Sequence, residues 1–356
     1  MSNRWSKYVL PLLQPFAAVL IGLIAGSIAI WIAGGSIPET YSEMWKGAFG
    51  SFYFFTNTLA RATPIILIGL GAAFAFRAGF FNLGAEGQMI FGALTAALVG
   101  LYMPGPGWLV CVAALLAGIT AGGLWSALAG WFDARFGVNL LITTLLMNYT
   151  AALFAGYIVA YPLKDRTGSA ALAQSQMLDN SVWLSKLFKG MPVHTGFILA
   201  VIAAIVIYIF FKRTVAGYEM RMLGGNPLFA VYGGVRRGAM MLSAMFVSGG
   251  LAGLAGAAEV LGTQYRYIDG ALSTANYAWT GIMAALLAGA HPVGTAVAAI
   301  FLAALQTGGM GVERNTEVPL EIGSVIQAVL ILFISAKFTY TYLKRRKEKN
   351  ADGTAA

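Results

Sequence analysis

Charged residues are scarce in this sequence. Only 10 % of its 356 residues are Asp, Glu, Lys or Arg, whereas a soluble domain has about 25 %. Hydrophobic residues make up 58 % of the chain, and the mean hydropathy is +0.73. Together with the 44 glycines, this composition excludes a soluble domain with an added anchor. It predicts an all-α integral membrane protein that crosses the bilayer many times.

Cysteine and histidine are also rare. Cys111 is the only cysteine, so neither an intrachain disulfide nor a thiolate metal site is possible. The only histidines, His194 and His291, fall at opposite predicted faces of the membrane. No G-x-x-x-x-G-K-[ST] sequence is present, which excludes a P-loop ATPase site. We therefore predict no metal, no cofactor and no catalytic residues in this chain, and any transport must draw its energy from another subunit or an ion gradient.

Apolar runs of the length that spans a bilayer, about 20 residues, occur about ten times. The predicted spans are 11–33, 56–76, 83–103, 107–131, 138–161, 194–211, 239–261, 277–290, 293–311 and 319–340. The eighth is short, and two interpretations of Ala290-His291-Pro292 after it remain open: a hairpin turn or a proper exit from the membrane. They predict a single transmembrane domain, 1–343, followed by a basic tail, 344–356. An even number of spans places both termini on the same side of the membrane. No cleavage pattern follows the first run, so it is predicted to remain as an uncleaved span.

The distribution of basic residues assigns the sides. Of the 23 Lys and Arg residues, 15 lie on the side of the termini and 8 on the other side. Because cytoplasmic loops carry the excess of Lys and Arg, both termini and the loop 212–238 are predicted to be cytoplasmic, and 162–193 extracytoplasmic. The net charge of +9 is then explained by topology and anionic lipid, with no nucleic-acid partner.

The central segment Phe211–Met241 interrupts the apolar pattern. It contains five basic residues and one acid, together with the turn-forming pairs Gly224-Gly225, Asn226-Pro227 and Gly233-Gly234. These residues favour turns between short helices, predicted at Tyr218–Leu223 and Leu228–Tyr232. Two interpretations remain open: a socket for a cytoplasmic partner, or a solvated loop that only fixes topology.

Two outer segments have amphipathic character. Gly34–Phe55 is rich in aromatic residues and is predicted to form an interfacial helix. Within the loop 162–193, Ser181–Lys189 is also predicted to lie as a helix on the membrane surface. Each segment would either dock an external partner or belong to the aromatic belt.

Several polar residues interrupt the spans, where an ionisable group costs about 2.5–3.5 kcal/mol on insertion scales. Glu86 is the strongest candidate, because a helix capped by Asn82 would place it in the first turn, where the helix dipole favours a negative charge. The alternative is a structural role, with Glu86 at the interface or paired with Arg77 or Arg61. The candidate pathway residues are Asn57, Arg61, Asn82, Glu86, Gln88, Asn139, Thr143 and Asn148.

Three stretches resemble a known family. Gly79–Met89, GFFNLGAEGQM, resembles the signature of ABC-importer permeases of the branched-chain amino acid and simple-sugar superfamily, nucleoside-type branch. Gly217–Gly234, GYEMRMLGGNPLFAVYGG, is similar to that superfamily's cytoplasmic coupling loop. Ala278–Gly294, AWTGIMAALLAGAHPVG, matches its later hydrophobic block.

The resemblance implies a permease subunit in a bacterial plasma membrane that carries a nucleoside or a related small polar metabolite inward. It implies ATP on a separate cytoplasmic ATP-binding subunit, a second permease, more often a different chain than an identical one, and an external binding protein. The implied ATPase-coupling residues are Gly217, Tyr218, Glu219, Arg221, Gly224, Asn226, Pro227 and Gly234. The alternative function is an ion-coupled secondary transporter that uses Glu86 and Glu259.

Overall fold

The computed structural model describes residues 20–167 and 172–316, with the short pieces 324–325 and 328–329. The main helices in chain order are α1 (Leu20–Ile32), α2 (Ile37–Phe49), α3 (Phe52–Arg77), α4 (Ala85–Tyr102), α5 (Gly107–Phe136), α6 (Leu140–Ala160), α7 (Gly196–Arg213), α8 (Val215–Gly225), α9 (Pro227–Tyr232), α10 (Arg237–Glu259), α11 (Ala271–Thr274), α12 (Tyr277–Leu287) and α13 (Pro292–Asn315). A 3₁₀ turn lies at Asn180–Val182, and α10 continues as a π-helical turn, Val260–Gln264. Extended pairing in this part of the chain is limited to two isolated bridges, so the all-α prediction is confirmed.

Seven of the described helices are long and apolar enough to cross a membrane: α3, α4, α5, α6, α7, α10 with its π-helical turn, and α13. α1 and α2 pass the same test only together, and they are bent by 118°. The predicted span 277–290 is wrong as a full crossing: α12 has 11 residues, about 16 Å of helix against a hydrocarbon core of about 30 Å. It ends where Gly289 and Ala290 adopt positive φ angles. The last predicted span, 319–340, lies outside the described residues apart from four positions, so the count of ten stays a prediction.

Local signals in the sequence explain where several helices begin and end. α5 ends at Gly137, whose φ of 67° suits glycine. α6 begins at Asn139, whose side chain accepts hydrogen bonds from two backbone amides. In the central segment, Thr214 caps α8 and Asn226 caps α9, which has Pro227 in its first turn. The two short helices predicted there are therefore confirmed.

Of the two amphipathic helices predicted from the sequence, the structure contains one. The predicted helix in Gly34–Phe55 is confirmed as α2. The predicted surface helix Ser181–Lys189 is wrong, because only the turn at Asn180–Val182 is helical. Its backbone amides bond to other segments instead: Leu184 N donates to Leu261 O at 2.9 Å, and Leu187 N donates to Val193 O at 3.0 Å.

The described residues form two compact units, one of residues up to Phe55 with those from Ala304 onward, and the other of Thr56–Ala303. In the first unit, α2 lies directly against the end of α13. A Cβ atom added at Gly47 would lie 2.7 Å from the Cα of Gly311. At the same place, Asn315 Nδ2 donates to Glu43 Oε2 at 2.7 Å.

Glycines bring α4, α5 and α10 together in the second unit. A Cβ atom added at Gly253 would collide with the carbonyl oxygen of Gly118, and one added at Gly92 would collide with the backbone of Gly253. Gly122 and Gly249 approach each other in the same way. Small residues allow such backbone contact between membrane helices, and Gly118, Gly122, Gly249 and Gly253 provide it here.

The spans differ in burial. In the most apolar stretch of α3, 83 % of the residues are buried, whereas the corresponding share is 28 % in α5, α6 and α7. The exposed side chains of those three helices include Leu116, Leu153 and Ile205. Apolar side chains of this kind suit a surface covered by lipid tails.

We expect Gly253→Ala to destabilise the protein, because the added methyl group would enter the backbone contact with α5. Overpacking of this kind costs about 1–3 kcal/mol. The matched control is Gly238→Ala in the same helix, where a Cβ atom meets nothing within 4 Å. The measurement is the thermal unfolding midpoint of each detergent-purified variant, and equal midpoints would contradict the packing described here.

Candidate functional site

The chain between α3 and α4 forms a corner around Asn82, which is 1 % exposed. Its Nδ2 donates to Gln88 Oε1 and to Ser248 Oγ, each at 2.9 Å. Its Oδ1 accepts from Gln88 Nε2 and from Gly84 N, each also at 2.9 Å. The two amides therefore bond to each other in both directions, and Ser248 joins this pair to α10.

Two side chains of α6 form hydrogen bonds with the backbone of the same corner. Asn148 Oδ1 accepts from Gly87 N at 2.8 Å, and its Nδ2 donates to Leu83 O at 3.0 Å. Thr144 Oγ1 accepts from Leu83 N at 3.3 Å. These bonds satisfy backbone groups where the helical pattern is interrupted, as a membrane protein requires.

Two other candidates on α6 lie apart from this corner. Asn139 is exposed and accepts from the amides of Leu141 and Ile142. Thr143 donates its hydroxyl to Asn139 O at 3.0 Å. The polar residues of α6 are thus divided: Thr144 and Asn148 contact the corner and the start of α4, whereas Asn139 caps the helix. A pathway role for these residues stays a prediction.

Glu86 lies in the first turn of α4, as predicted, and is partly exposed. The predicted cap was wrong, because Gly84 occupies the N-cap position and Asn82 bonds to Gly84 N instead. Among the described residues, none forms a hydrogen bond or ion pair with the Glu86 side chain. The helix dipole is therefore the local feature that favours its negative charge.

The segment with the predicted coupling residues packs against this corner. A Cβ atom added at Gly224 would collide with the carbonyl oxygen of Arg77, and one added at Gly79 would lie 3.0 Å from the Cα of Gly224. Gly217 approaches the Phe210 backbone equally closely. The end of α8 thus rests on the backbone that leads into the Asn82 corner.

The remaining coupling candidates form a largely exposed surface. Arg221, Asn226, Pro227 and Gly234 are exposed, Glu219 is partly exposed, and Tyr218 is 54 % exposed. Three large side chains of α9 add to this surface: Leu228, Phe229 and Tyr232, the last of which is 91 % exposed. One side of α8 is therefore packed inward, while the rest of the segment is free to meet another molecule.

A second polar group lies near the far end of α10. Glu259 is 2 % exposed, and Arg61 of α3 and Lys186 are the cations that act on it electrostatically. The Arg61 guanidinium lies over the Tyr277 ring, 5.9 Å from its centre. Asn57, one turn before Arg61 on α3, is partly exposed.

The surroundings of His194 favour a neutral ring. His194 is buried beside Lys186, and both effects lower its pKa to about 4. Its Nδ1 accepts from Gly196 N at 3.2 Å, which fits a neutral ring. In the part of the chain that the structure describes, three His, Cys, Asp or Glu side chains nowhere come together in a way that would hold a metal ion.

The sequence did not point to Ser126, Ser248 and Tyr277. Ser126 and Ser248 are buried at the Asn82 corner. A small polar residue in a glycine-rich helix is a weak signal, because the same pattern also occurs in plain helix packing.

Comparisons with known proteins agree with the sequence resemblance. A family model described as branched-chain amino acid transport system / permease component matches residues 54–335. The guanosine ABC transporter permease protein NupP of Bacillus subtilis is 34 % identical over 339 residues, covering 95 % of this chain and 97 % of NupP. The glucose ABC transporter permease protein TsgB13 of Haloferax volcanii is 31 % identical over 351 residues, covering 96 % and 90 %. A further guanosine permease of Bacillus subtilis, NupQ, is 27 % identical over 261 residues, covering 70 % and 79 %.

The family match includes all three stretches that carried the resemblance, among them the Asn82 corner and the segment of α8 and α9. It also agrees with the long apolar helices of a multi-pass membrane protein. The chain therefore belongs to the family of branched-chain amino acid transport system permease components.

Proposed function

We propose that this chain is the permease subunit of an ATP-driven importer that moves a nucleoside, or a simple sugar, into the cell. One observation carries the coupling part of this proposal: α8 is packed against the Asn82 corner at Gly224, while its neighbours remain exposed. The relatives named above are ABC transporter permeases for guanosine and glucose. They give no support to the ion-coupled alternative through Glu86 and Glu259.

The exposed surface of α8 and α9 is the proposed socket for the ATP-binding subunit. Leu228, Phe229 and Tyr232 offer apolar contact area, and Arg221 offers a charge beside them. An exposed apolar patch with a polar rim is typical of a protein interaction site. ATP hydrolysis itself belongs to the partner in this proposal, in keeping with the absence of a P-loop sequence from this chain.

Movement of the socket would reach the membrane helices through the Asn82 corner. Gly224 contacts the backbone of Arg77, and Asn82, five residues further along, is hydrogen-bonded to Ser248 of α10. Displacement of α8 would therefore act on α3, α4 and α10 together. We assign Asn82, Gln88 and Asn148 to this mechanical role, because their hydrogen bonds are made within the chain. Glu86, Asn57 and Arg61 remain the proposed pathway residues.

The proposal also includes the other partners of such an importer. Bacillus subtilis has two different guanosine permeases, NupP and NupQ, that match this chain, which favours pairing with a second, different permease. An extracytoplasmic binding protein would deliver the substrate. The location would be the bacterial plasma membrane, with the termini and the segment 212–238 on the cytoplasmic side.

The energy source separates the importer from the ion-coupled alternative. In cells that contain the chain with its partner subunits, we expect ATP depletion to abolish guanosine or glucose uptake. A protonophore at constant ATP should leave the initial uptake rate largely intact, because the conformational change is driven by nucleotide. The measurement is the initial uptake of radiolabelled substrate. The reverse pattern would favour the ion-coupled transporter.

The contact at Gly224 tests the coupling proposal. We expect Gly224→Ala to lower uptake by about fivefold or more, since an overpacked contact costs about 1–3 kcal/mol, and a transport barrier raised by 1.4 kcal/mol corresponds to about tenfold in rate. Gly225→Ala is the matched control, because a Cβ atom there meets nothing within 4 Å.

Co-purification of the ATP-binding subunit should persist in both variants, since each keeps the large exposed side chains Leu228, Phe229 and Tyr232. Equal uptake by the two variants would show that the contact of α8 with Arg77 does not transmit the movement.

A further inference from the structure

Three helix irregularities meet around Glu259, Arg61 and Tyr277, which we call the outer polar group. α10 changes to a π-helical turn directly after Glu259. α12 begins at Tyr277, after Asn276 in the left-handed conformation with a φ of 58°. In α3, Pro64 lies within the helix less than one turn after Arg61. π-helical turns are frequent at functional sites, and interrupted helices in membrane proteins commonly border a polar cavity or a binding site.

The carboxylate of Glu259 is buried without a partner. Its side chain forms no hydrogen bond or ion pair with the residues that the structure describes, although the residue is 2 % exposed. A buried charge of this kind is costly unless it is paired and hydrogen-bonded. A ligand that donates hydrogen bonds to Glu259 during transport would remove this cost.

The neighbouring cations do not fill it. Lys186 Nζ already donates to Gly262 O at 2.8 Å and to Pro192 O at 3.0 Å. Arg61 lies over the Tyr277 ring, and its guanidinium makes no hydrogen bond within the described chain. The outer polar group therefore offers three things to a ligand: the two acceptor oxygens of the Glu259 carboxylate, the planar guanidinium of Arg61 as a donor, and the aromatic ring of Tyr277.

These groups select the chemistry of a ligand. A carboxylate accepts hydrogen bonds through both oxygens, so two adjacent hydroxyl groups suit it geometrically. Arg61 supplies donors for an ether or hydroxyl oxygen, and the Tyr277 ring supplies an apolar surface. An anionic ligand would be repelled by Glu259, and a cationic one would be repelled by Arg61 and Lys186. The best match is a neutral ligand with vicinal hydroxyl groups.

We propose that Arg61, Glu259 and Tyr277 form a transient binding site for the vicinal hydroxyl groups of the transported nucleoside or sugar. The proposal rests on the importer function proposed above and names the part of the substrate that the permease recognises. Ribose and hexoses share vicinal hydroxyl groups, whereas only nucleosides carry a base. The site would therefore recognise the sugar part, which both substrate classes contain. Glu259 is enclosed in the present conformation, and the site fills when α3, α10 and α12 part during the transport cycle.

The test compares substrates that differ only in the diol. Cells contain the chain with all of its partner subunits, and the initial uptake of guanosine is measured against that of 2′-deoxyguanosine. If glucose is the substrate taken up, glucose is measured against 2,3-dideoxyglucose. Substrate concentrations saturate the binding protein, which is the same in every variant. Any change of the uptake ratio between variants then reports on the permease.

For Glu259→Gln, we expect the ratio of guanosine to 2′-deoxyguanosine uptake to fall by about tenfold, because hydrogen bonds to charged groups are stronger than those to neutral groups. The variant keeps the shape of the side chain but loses the charge. Arg61→Lys is the second variant. It keeps the positive charge but loses the planar set of donors, and its ratio should also fall. It keeps the inference testable if Glu259→Gln does not accumulate in membranes. Glu39→Gln, which changes an exposed carboxylate on α2, should leave the ratio unchanged.

The outcomes separate the inference from the function. Equal loss of uptake for both substrates, with an unchanged ratio, would assign Glu259 a purely structural role and overturn the inference alone. Uptake of neither guanosine nor glucose by the unaltered protein would overturn the proposed function, and the inference with it. A lowered ratio in Glu259→Gln at a normal membrane level of the protein supports the site.

Discussion

Direct backbone contact among α4, α5 and α10 is the constraint on which the second unit depends. Hydrophobic side chains cannot drive helices together in lipid, because the surrounding tails are equally apolar. Close approach through Gly92, Gly118 and Gly253 supplies dispersion contact instead. The same approach brings Ser126 and Ser248 next to Asn82. The polar corner thus exists because the glycines leave no side chains between the helices.

The two polar clusters on α10 differ in how completely they are satisfied. At the Asn82 corner, the Asn82 and Gln88 amides bond to each other and to neighbouring groups. Networks in which every member is bonded rigidify a structure, whereas a partly satisfied network is costly. At the outer polar group, Glu259 and Arg61 are not satisfied within the described residues. The Asn82 corner is therefore suited to hold helices together. At the outer polar group, by contrast, the proposed ligand would complete the hydrogen bonding.

Much of the architecture follows from the sequence by simple physical rules. Apolar length identified α3–α7, α10 and α13, and the turn-forming pairs Gly224-Gly225, Asn226-Pro227 and Gly233-Gly234 predicted the two short helices of the central segment. The surface helix at Ser181–Lys189 failed for a physical reason. Its apolar residues suit an interfacial helix, but the amide of Leu184 pairs with the distant backbone of Leu261, and no local pattern encodes a long-range partner.

The sequence identified several residues of the candidate site, but it did not predict which groups those residues contact. Asn82, Gln88 and Asn148 were identified as unusual for lipid, yet the sequence did not reveal that they bond to each other's segments. An amide that lines a pathway and an amide that ties helices together have the same identity and the same apolar surroundings in a sequence. Only the positions of Ser248, Gly84 and Gly87 relative to them show that these amides tie neighbouring segments together.

The outer segment 173–187 is attached to the end of α10 through backbone bonds that do not depend on side-chain identity. Ser175 N donates to Tyr267 O, Leu178 N to Tyr265 O and Leu184 N to Leu261 O, each at 2.9 Å. The other end of α10 is connected to α9 by residues 233–236. One helix is therefore linked at its two ends to the segment 173–187 and to the exposed surface of α8 and α9. In the importer proposed above, cargo arriving at one end and nucleotide-driven closure at the other would act on the same helix, without a separate relay between them.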